Sequence, residues 1–287
     1  MSEKTFKIVI FGAGLIGGSF ALALKKAGMA REVVGFGRRQ ETLIEAIKLG
    51  ILDRIGEESD LADSDLVLLA VPVGQMAPIM KHIAPLLGEN TLVTDGGSTK
   101  CDVVRHAREN LGARIRNFVP AHPIAGAEAS GPAAAREDLY QDKKVVLTPL
   151  AENSSEILEK ARKIWEACGA KVQTLTPEEH DEVFATVSHL PHLLSYALVH
   201  DIAQRDNRDL LLSFAASGFR DFTRIAASSP EMWTDISLAN REALLVELDR
   251  YMQELETMKR ALLESDAEKL GEIFSLARSI RHGWTPG

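Results

Sequence analysis

The chain has 287 residues, of which 45% are apolar and 26% charged, and it carries a net charge of −8. Such a length can hold one large domain or two moderate ones with a substantial core. The net negative charge, with no stripe of basic residues, argues against nucleic acid as a main partner. The first residues are polar, no apolar run approaches the ~18 residues that span a bilayer, and the two cysteines form no disulfide framework. We therefore expect a soluble cytoplasmic protein with no membrane partner.

The chain begins with an apolar strand that runs into a glycine-rich turn. Phe6–Phe11 predicts a buried strand, Gly12, Gly14 and Gly17 follow in the spacing Gly-x-Gly-x-x-Gly, and an apolar helix continues to Ala27. In this arrangement the glycines allow a tight turn, a close approach of backbone amides to a pyrophosphate, and close helix packing. We predict a dinucleotide site here, formed by Gly12, Ala13, Gly14, Leu15, Ile16, Gly17 and, at the end of a later strand, Val71.

Up to residue 176, apolar strands alternate with amphipathic helices. The further predicted strands are Glu32–Gly37, Asp65–Val71, Thr91–Asp95, Phe118–Ala121, Lys144–Thr148 and Lys171–Thr174. The predicted helices between them are Glu41–Leu49, Gln75–Leu87, Asp102–Asn110 and Ser154–Ala167. This alternation predicts an α/β fold with a Rossmann-type, doubly wound and mostly parallel sheet, which binds ligands beyond the carboxyl ends of its strands.

The second part of the chain is predicted to be all-helical. Thr176, Pro177 and Glu179 form a helix-start signal, and no strand pattern follows it. We divide the chain into residues 1–176, the NAD(P)-binding domain, and residues 177–287, a helical substrate-binding and dimerisation domain. One helix is predicted over Pro230–Leu263, with apolar residues recurring at threes and fours. Such a helix fits either an intramolecular bundle or a dimer interface, and we favour a homodimer through the C-terminal helices.

The residues after the second strand bear on the choice of cofactor. An acidic residue at this position binds the ribose 2′-hydroxyl of NAD, whereas an arginine accommodates the 2′-phosphate of NADP. Here the strand is followed by Arg38 and Arg39, and the first carboxylate, Glu41, falls inside the next helix. Two guanidinium groups can grip a phosphate, although they can also be ordinary surface residues. We predict a preference for NADP, with NAD as a possible cofactor.

Two polar residues follow predicted sheet strands. Ser98 lies in the glycine-rich segment after Asp95, where it can either orient a ligand or cap the next helix. His122 lies between a strand and Pro123, and its restricted backbone and pKa near working pH suit a general base. A purely structural histidine is the alternative. We select Ser98 and His122 as catalytic candidates.

Further candidates lie in the helical part. Ser188 and His192 are four residues apart on one helix face, His189 lies beside them, and Pro191 should distort the helix there. We take these two histidines and Ser188 as candidate site residues; a metal site is disfavoured because no acidic or cysteine partner lies at metal spacing. Arg224, in a segment rich in arginine and phenylalanine, is a candidate to bind a substrate carboxylate, with a surface ion pair as the alternative.

Taken together, these motifs resemble the prephenate/arogenate dehydrogenase (cyclohexadienyl dehydrogenase) family of tyrosine biosynthesis. The resemblance spans essentially the whole chain and rests on five segments: Gly12–Ser19, Asp95–Lys100, His122–Gly126, Ser188–His192 and Phe219–Arg224. The His-Pro-Ile-Ala-Gly and Asp-Phe-Thr-Arg elements are far more specific than the glycine loop. The resemblance implies a nicotinamide-dependent dehydrogenase that oxidatively decarboxylates arogenate to tyrosine or prephenate to 4-hydroxyphenylpyruvate.

The resemblance also implies a role for each matching residue. His122 accepts the proton of the substrate's 4-hydroxyl as hydride leaves C4 for the nicotinamide, and Ser98 orients that hydroxyl and the histidine. Arg224 pairs with the side-chain carboxylate, while Ser188 and His192 line the pocket. Because loss of CO₂ makes the ring aromatic, the chemistry needs no metal. The expected kcat/KM rises with pH through a pKa within about a unit of 6.5.

One segment departs from the family pattern. Many relatives carry a hydroxyl residue after His-Pro-Ile-Ala-Gly, whereas this chain has Ala127 followed by Glu128. Glu128 is a candidate to meet the ammonium group of arogenate, or else a helix-start carboxylate. Both substrates stay open, with arogenate slightly favoured. We expect no appended regulatory domain, so that any feedback by tyrosine would act at the active site.

Two other functions compete with this interpretation. A β-hydroxyacid dehydrogenase would share the N-terminal sheet and the helical second part, but it would use a bundle lysine as acid and base, where this chain offers histidines and arginines. A non-catalytic NADP sensor would keep the glycine loop but would not need His122, Ser98 and Arg224 together.

Overall fold

A six-stranded sheet, all parallel, forms the centre of the first part of the chain. The computed structural model describes residues 5–126 and 129–284. The sheet has the order β3-β2-β1-β4-β5-β6. Its strands are β1 (Phe6–Phe11), β2 (Ala30–Phe36), β3 (Arg54–Ile55), β4 (Leu66–Leu69), β5 (Leu92–Asp95) and β6 (Phe118–Val119). The chain moves outward from β1 first on one side and then on the other, which confirms the predicted doubly wound fold.

Helices cover both faces of this sheet. They are α1 (Leu15–Lys26), α2 (Gln40–Lys48), α3 (Met76–Ile83), α4 (Cys101–Asn110) and α5 (Ser155–Ala167). Successive residues of a strand point to opposite faces, so that Ile8 and Ile10 join the core on one side with Trp165, while Val9 and Phe11 join the core on the other. A strand buried on both faces needs mostly apolar residues, which is why β1 is apolar except for Lys7.

A second, three-stranded sheet was not predicted. It consists of β7 (Ala121–Pro123), β8 (Lys144–Leu147) and β9 (Lys171–Thr174), with β7 antiparallel to β8 and β9 parallel to it. The predicted single strand Phe118–Ala121 is therefore wrong, since Pro120 separates β6 from β7. Proline has no N–H to continue the first ladder, and its carbonyl instead accepts a hydrogen bond from the Thr148 amide at 3.0 Å.

The helical part begins where the sequence indicated. The Thr176 hydroxyl accepts from the Glu179 amide at 3.1 Å, and the Glu179 carboxylate accepts from the Thr176 amide at 2.8 Å. The helices are α6 (Pro177–Phe184), α7 (Leu190–Ala203), α8 (Arg208–Ser213), α9 (Ser217–Thr223), α10 (Pro230–Ala239), α11 (Arg241–Leu263) and α12 (Ala267–Gly283). A π-helical turn, Ala185–His189, joins α6 to α7 directly before Pro191, so the predicted helix distortion is confirmed.

The predicted single helix over Pro230–Leu263 is wrong. It is divided at Asn240, which has φ −103° and ψ 31° and whose side chain turns inward. The Asn240 amide donates to the Asp181 carbonyl at 2.8 Å and lies 3.0 Å from Nδ1 of His189. The break therefore has a local cause: the side chain leaves the helix surface to satisfy buried polar groups. Apolar periodicity runs through position 240 without interruption and could not reveal this.

The two last helices keep apolar surface exposed. In this single chain no residue of α12 is buried, and α11 buries only Leu244 and Ala261. The exposed large apolar side chains of α10, α11 and α12 include Leu238, Leu245, Val246, Met252, Leu255, Leu262, Phe274, Leu276 and Ile280. Among the helices of the described chain, none is long and apolar enough to cross a membrane.

Candidate active site

The glycine turn has the geometry that a dinucleotide requires. Gly12 has φ +92°, and a side chain there would collide with the Ala70 carbonyl; one at Gly17 would collide with the Gly12 carbonyl. At Gly14, by contrast, no atom lies within 4 Å of the position that a Cβ would take. Helix α1 starts directly after Gly14 without a side-chain cap, so its first amides are open to an anion. These residues fit a bound pyrophosphate.

The other cofactor candidates surround this turn. Ala13 is buried and Leu15 and Ile16 are half-buried. Val71, at the end of the β4 segment, has a methyl group 3.2 Å from the Cβ position of Gly12 and therefore borders the turn.

Both arginines that follow β2 are exposed. A guanidinium nitrogen of Arg38 lies 3.5 Å from a carboxylate oxygen of Glu231 on α10. With the Gln75 amide oriented so that its oxygen faces Arg38, that oxygen accepts at 3.1 and 3.3 Å. Arg38 therefore contacts both the nucleotide edge of the sheet and the helical part.

His122 is the first member of a chain of buried hydrogen-bonding groups. It lies on β7, and its Nδ1 is 2.8 Å from Nε2 of His180 on α6. Nδ1 of His180 is in turn 2.8 Å from a carboxylate oxygen of Asp181. The Phe184 ring packs against both imidazoles, with centroids 4.7 Å from His122 and 4.5 Å from His180. Among the described residues, His122 thus has a hydrogen-bond partner on one ring nitrogen only.

The hydrogen-bond directions along this chain can be assigned from Asp181. Its carboxylate accepts from the amides of Lys100 and Cys101, each at 2.8 Å. Although burial opposes ionisation, the hydrogen bonds from His180 and the Cys101 amide hold the pKa of Asp181 below its usual range. An ionised carboxylate only accepts, so His180 donates from Nδ1 and accepts at Nε2. His122 must then donate from Nδ1, which leaves a lone pair on its Nε2.

The electrostatics of His122 favour the neutral ring. Burial holds its pKa well below 6.5, and the neighbouring His180 and Lys100 lower it further. Burial likewise lowers the pKa of His180. A neutral imidazole with a free Nε2 is the form that a general base requires.

A buried ion pair fixes the loop that carries Ser98. Lys100 Nζ and a carboxylate oxygen of Asp95 are 2.5 Å apart, and both side chains are fully buried. Asp95 also accepts from the Gly97 amide at 2.8 Å and from the Ala121 amide at 2.9 Å. The same carboxylate therefore joins the end of β5, the Ser98 loop and the start of β7. Ser98 is half-buried and does not cap a helix: Lys100 holds the N-cap position of α4, so that alternative is wrong.

The helical candidates form a second group. The His192 and Trp233 rings stack with centroids 3.5 Å apart and an interplanar angle of 19°. Nδ1 of His192 is 2.8 Å from the Ser188 carbonyl, so that Ser188 contacts His192 through its backbone. Burial lowers the pKa of His192, and the nearby positive charge of Arg224 adds to this effect. The structure therefore brings Ser188, His192 and Arg224 together.

Two predicted substrate-binding residues remain, His189 and Glu128. His189 is only 1% exposed and lies between Asn240 and Trp233, with a centroid distance of 6.1 Å to the Trp233 ring. It lies beneath the site and does not line open space. Glu128 lies outside the described residues.

Four functional residues were not found from the sequence: His180, Asp181, Lys100 and Asn240. The first two belong to a segment that packs on His122 from 58 positions away. One signal was available, because His180 and Phe184 are four apart on the buried face of α6. A second was the pairing of Asp95 and Lys100 across a glycine turn at a strand end.

Comparison with known proteins identifies the family models and relatives that this chain matches. A family model described as the nucleotide-binding domain of prephenate dehydrogenase matches residues 20–174, and one described as its dimerization domain matches residues 176–276. A prephenate dehydrogenase of Bacillus subtilis is 36% identical over 287 residues, which cover 99% of this chain and 77% of the relative. A cyclohexadienyl dehydrogenase of Zymomonas mobilis is 35% identical, over 96% of this chain and 94% of the relative.

A solved structure extends the likeness to the fold. The crystal structure of prephenate dehydrogenase from A. aeolicus, in complex with hydroxyphenyl propionate and NAD+, has a TM-score of 0.92 and 35% sequence identity and covers 99% of each chain. The two family models together match most of this chain, and the relatives match it almost from end to end. The chain therefore belongs to the prephenate dehydrogenase family.

Proposed function

We propose that this protein is a cyclohexadienyl dehydrogenase that oxidatively decarboxylates arogenate or prephenate, with arogenate slightly favoured and NADP preferred over NAD. The observation that carries the proposal is Nε2 of His122, which has no hydrogen-bond partner among the described residues and which the His180–Asp181 chain leaves as an acceptor. His122 lies three residues beyond the carboxyl end of β6, beside the ligand-binding edge of the parallel sheet. This edge also carries the glycine turn. A base beside a nicotinamide site is the arrangement that oxidation of a ring hydroxyl requires.

The proposed mechanism assigns one task to each group. Nε2 of His122 takes the proton of the substrate's 4-hydroxyl, and the Ser98 hydroxyl orients that oxygen. Arg224 pairs with the side-chain carboxylate, while Ser188 and His192 line the pocket. A dinucleotide held by the glycine turn would supply the acceptor for the hydride that leaves C4. The electron pair of the breaking carbon–carboxylate bond then enters the ring, CO₂ departs and the ring becomes aromatic.

The proposed preference for NADP rests on the end of β2. Arg38 and Arg39 are exposed there, and Glu41 lies in the first turn of α2, beyond the position that normally reads the 2′-hydroxyl. The guanidinium of Arg38 can turn toward a phosphate because its side chain is 71% exposed and its ion pair with Glu231 lies at the surface. NAD stays a possible cofactor, since the A. aeolicus relative was solved with it.

The proposal includes a two-domain protein that forms a homodimer. Residues 1–176 would bind the dinucleotide, and residues 177–287 would bind substrate and dimerise. The unburied apolar residues of α11 and α12 support this division, and the second family model bears the description of a dimerization domain. Glu128 stays a candidate for the ammonium group of arogenate; a strong preference of the enzyme for prephenate would contradict that role.

The decisive experiment combines a substrate panel with His122→Asn. We expect turnover of arogenate or prephenate, a higher kcat/KM with NADP than with NAD, and a loss of about 10²- to 10⁴-fold in kcat for His122→Asn, as removal of a general base predicts. The dinucleotide Kd should stay unchanged. His200→Asn, on the exposed face of α7, is the matched control.

Other outcomes point to the competing functions. Turnover of β-hydroxyacids alone would favour the related dehydrogenase class, and tight NADP binding without turnover of any substrate would favour a sensor. Full activity of His122→Asn would remove the proposed base. An equal or higher kcat/KM with NAD would contradict the cofactor preference.

A further inference from the structure

The helix break at Asn240 determines the hydrogen-bonding form of a buried histidine. The Asn240 amide nitrogen is 2.8 Å from the Asp181 main-chain carbonyl and 3.0 Å from Nδ1 of His189. A carbonyl oxygen only accepts, so the atom that faces it must be the NH₂ group. The same NH₂ group then donates to Nδ1 of His189. A neutral His189 must therefore carry its proton on Nε2.

His189 is neutral at working pH and its second nitrogen is a buried donor. Burial lowers the pKa of His189 to about 4, with His180 and His192 adding to the effect. In the part of the chain that the structure describes, Nε2 of His189 is buried and has no partner in hydrogen-bonding geometry. A buried N–H without an acceptor costs stability on the order of 1–3 kcal/mol, so such a group calls for a functional explanation.

The surroundings of His189 indicate the missing acceptor. The backbone of Ser98 interacts favourably with the protonated His189 ring and opposes the effect of burial. His189 is also close enough to His122 to lower its pKa. We therefore take the Ser98 carbonyl as the candidate acceptor for Nε2 of His189. Hydrogen bonds of active sites are often long or poorly aligned before ligands bind, and they tighten in the complex.

We propose that Asn240 and His189 act as a positioning pair for Ser98. Asn240 fixes His189 as the Nε2–H form, and this N–H donates to the Ser98 carbonyl when ligands bind, which holds the Ser98 hydroxyl in place beside His122. Two series of hydrogen bonds thus lead to the reacting oxygen of the substrate. Asp181 and His180 orient the base His122, while Asn240 and His189 orient the Ser98 hydroxyl. The inference rests on the proposed role of Ser98.

The first test reads the His189 tautomer directly. Histidine labelled with ¹⁵N is introduced into the whole chain, and long-range proton–nitrogen correlations are recorded, with His189→Gln identifying the His189 signals. We expect the Nε2–H form, and we expect that proton to exchange with water more slowly when NADP is saturating. An Nδ1–H form, or an exchange rate unaffected by dinucleotide, would overturn the proposal. This test needs no turnover, so it separates the positioning pair from the proposed function.

The second test separates kcat from binding. His189→Leu removes the donor and should lower kcat about tenfold, the ratio expected for one lost hydrogen bond, with the dinucleotide Kd unchanged within about twofold. His189→Gln returns an N–H near the Nε2 position and should recover kcat to within about threefold of the parent. Equal losses in both variants, or a full kcat in His189→Leu, would contradict the proposal. If His189→Leu does not fold, the tautomer measurement on the parent chain decides.

Discussion

Asp181 performs two tasks with one carboxylate. It accepts from the first amides of α4, where the helix dipole favours a negative charge, and it accepts from His180, which orients His122. A carboxylate that receives three donors stays ionised. The direction of every hydrogen bond up to His122 follows from that single charge.

Asp181→Asn should therefore reverse the chain of hydrogen bonds. An amide nitrogen facing Nδ1 of His180 would move the proton of that ring to Nε2, and His122 would then carry its own proton on Nε2 and lose its basic form. We expect kcat/KM to fall about 100-fold, by analogy with other histidine bases that lose an orienting carboxylate. The measurement is steady-state kinetics, with dinucleotide binding and Tm as controls. Asp209→Asn, on an exposed stretch of α8, is the matched variant.

The pH dependence of kcat/KM in the parent enzyme should have a midpoint below the pKa near 6.5 that the sequence suggested. Only neutral His122 is active, and its folded pKa lies well below 6.5 because of burial. The kcat/KM should thus stay level as pH falls through 6.5 and decline only in more acidic solution, where the buried ring takes up a proton. A midpoint above 6.5 in the parent, or an Asp181→Asn variant within threefold of it, would contradict this account.

At the scale of elements, α10 connects the nucleotide edge to the substrate pocket. Glu231 and Asp235 are four apart and share one face, which packs on the turn after β4; a side chain at Gly74 would come within 2.8 Å of the Asp235 carboxylate. Trp233 points away from that face and stacks on His192. A displacement of α10 therefore alters both ligand environments.

Glu231→Gln tests this connection. The Glu231 carboxylate pairs with Arg38 and would oppose a 2′-phosphate that competes for the same guanidinium. Its removal should tighten NADP binding about two- to fivefold, as expected of an exposed charge pair, and leave NAD binding unchanged. Fluorescence titration at low and high salt measures both constants, and the gain should shrink with salt. Glu159→Gln, which breaks an exposed pair with Lys163 on α5, is the control; an equal effect there would refute the idea.

The elements that the sequence predicted well are those with long, unbroken patterns. Strand β1, helix α1 and the start of α6 were predicted because burial on both faces, a glycine turn and a capping box leave local signatures. Strand β3 was missed because two residues carry no pattern. The division at Pro120 and the break at Asn240 depend on partners distant in the chain, such as Thr148 and Asp181. For the same reason the sequence did not indicate a role for His180, whose partner His122 is 58 positions away, whereas His122 has a local signal in its strand end and Pro123.

For the whole molecule, the exposed apolar face of α10–α12 is the least favourable feature of a single chain in water. Leu276 and Ile280 of α12 are 67% and 68% exposed, and Leu238 and Val246 border a groove of about 920 Å³ beside α4 and α6. Apolar surface of this extent is usual for association rather than for a free monomer. A second copy of the chain is the proposed cover.

Sedimentation velocity at micromolar concentration should thus find a dimer. The double variant Leu276→Glu and Ile280→Glu places two charges on the apolar face and should shift the protein to the monomer, because burying an unpaired charge is costly. Ser275→Glu, one position away on the same helix, should sediment as the parent does. A monomeric parent, or a double variant that stays dimeric, would contradict the dimer.

The buried pair of Asp95 and Lys100 restricts how this chain can change over evolutionary time. Loss of either partner would strand the other charge in the interior, at a cost of about 3–5 kcal/mol, a large part of a typical domain's stability. Neither residue can drift alone, and a double replacement must pass through an unstable intermediate. We therefore expect the Ser98 loop between them to tolerate fewer single substitutions than the helical side of the pocket, where the described residues are more exposed.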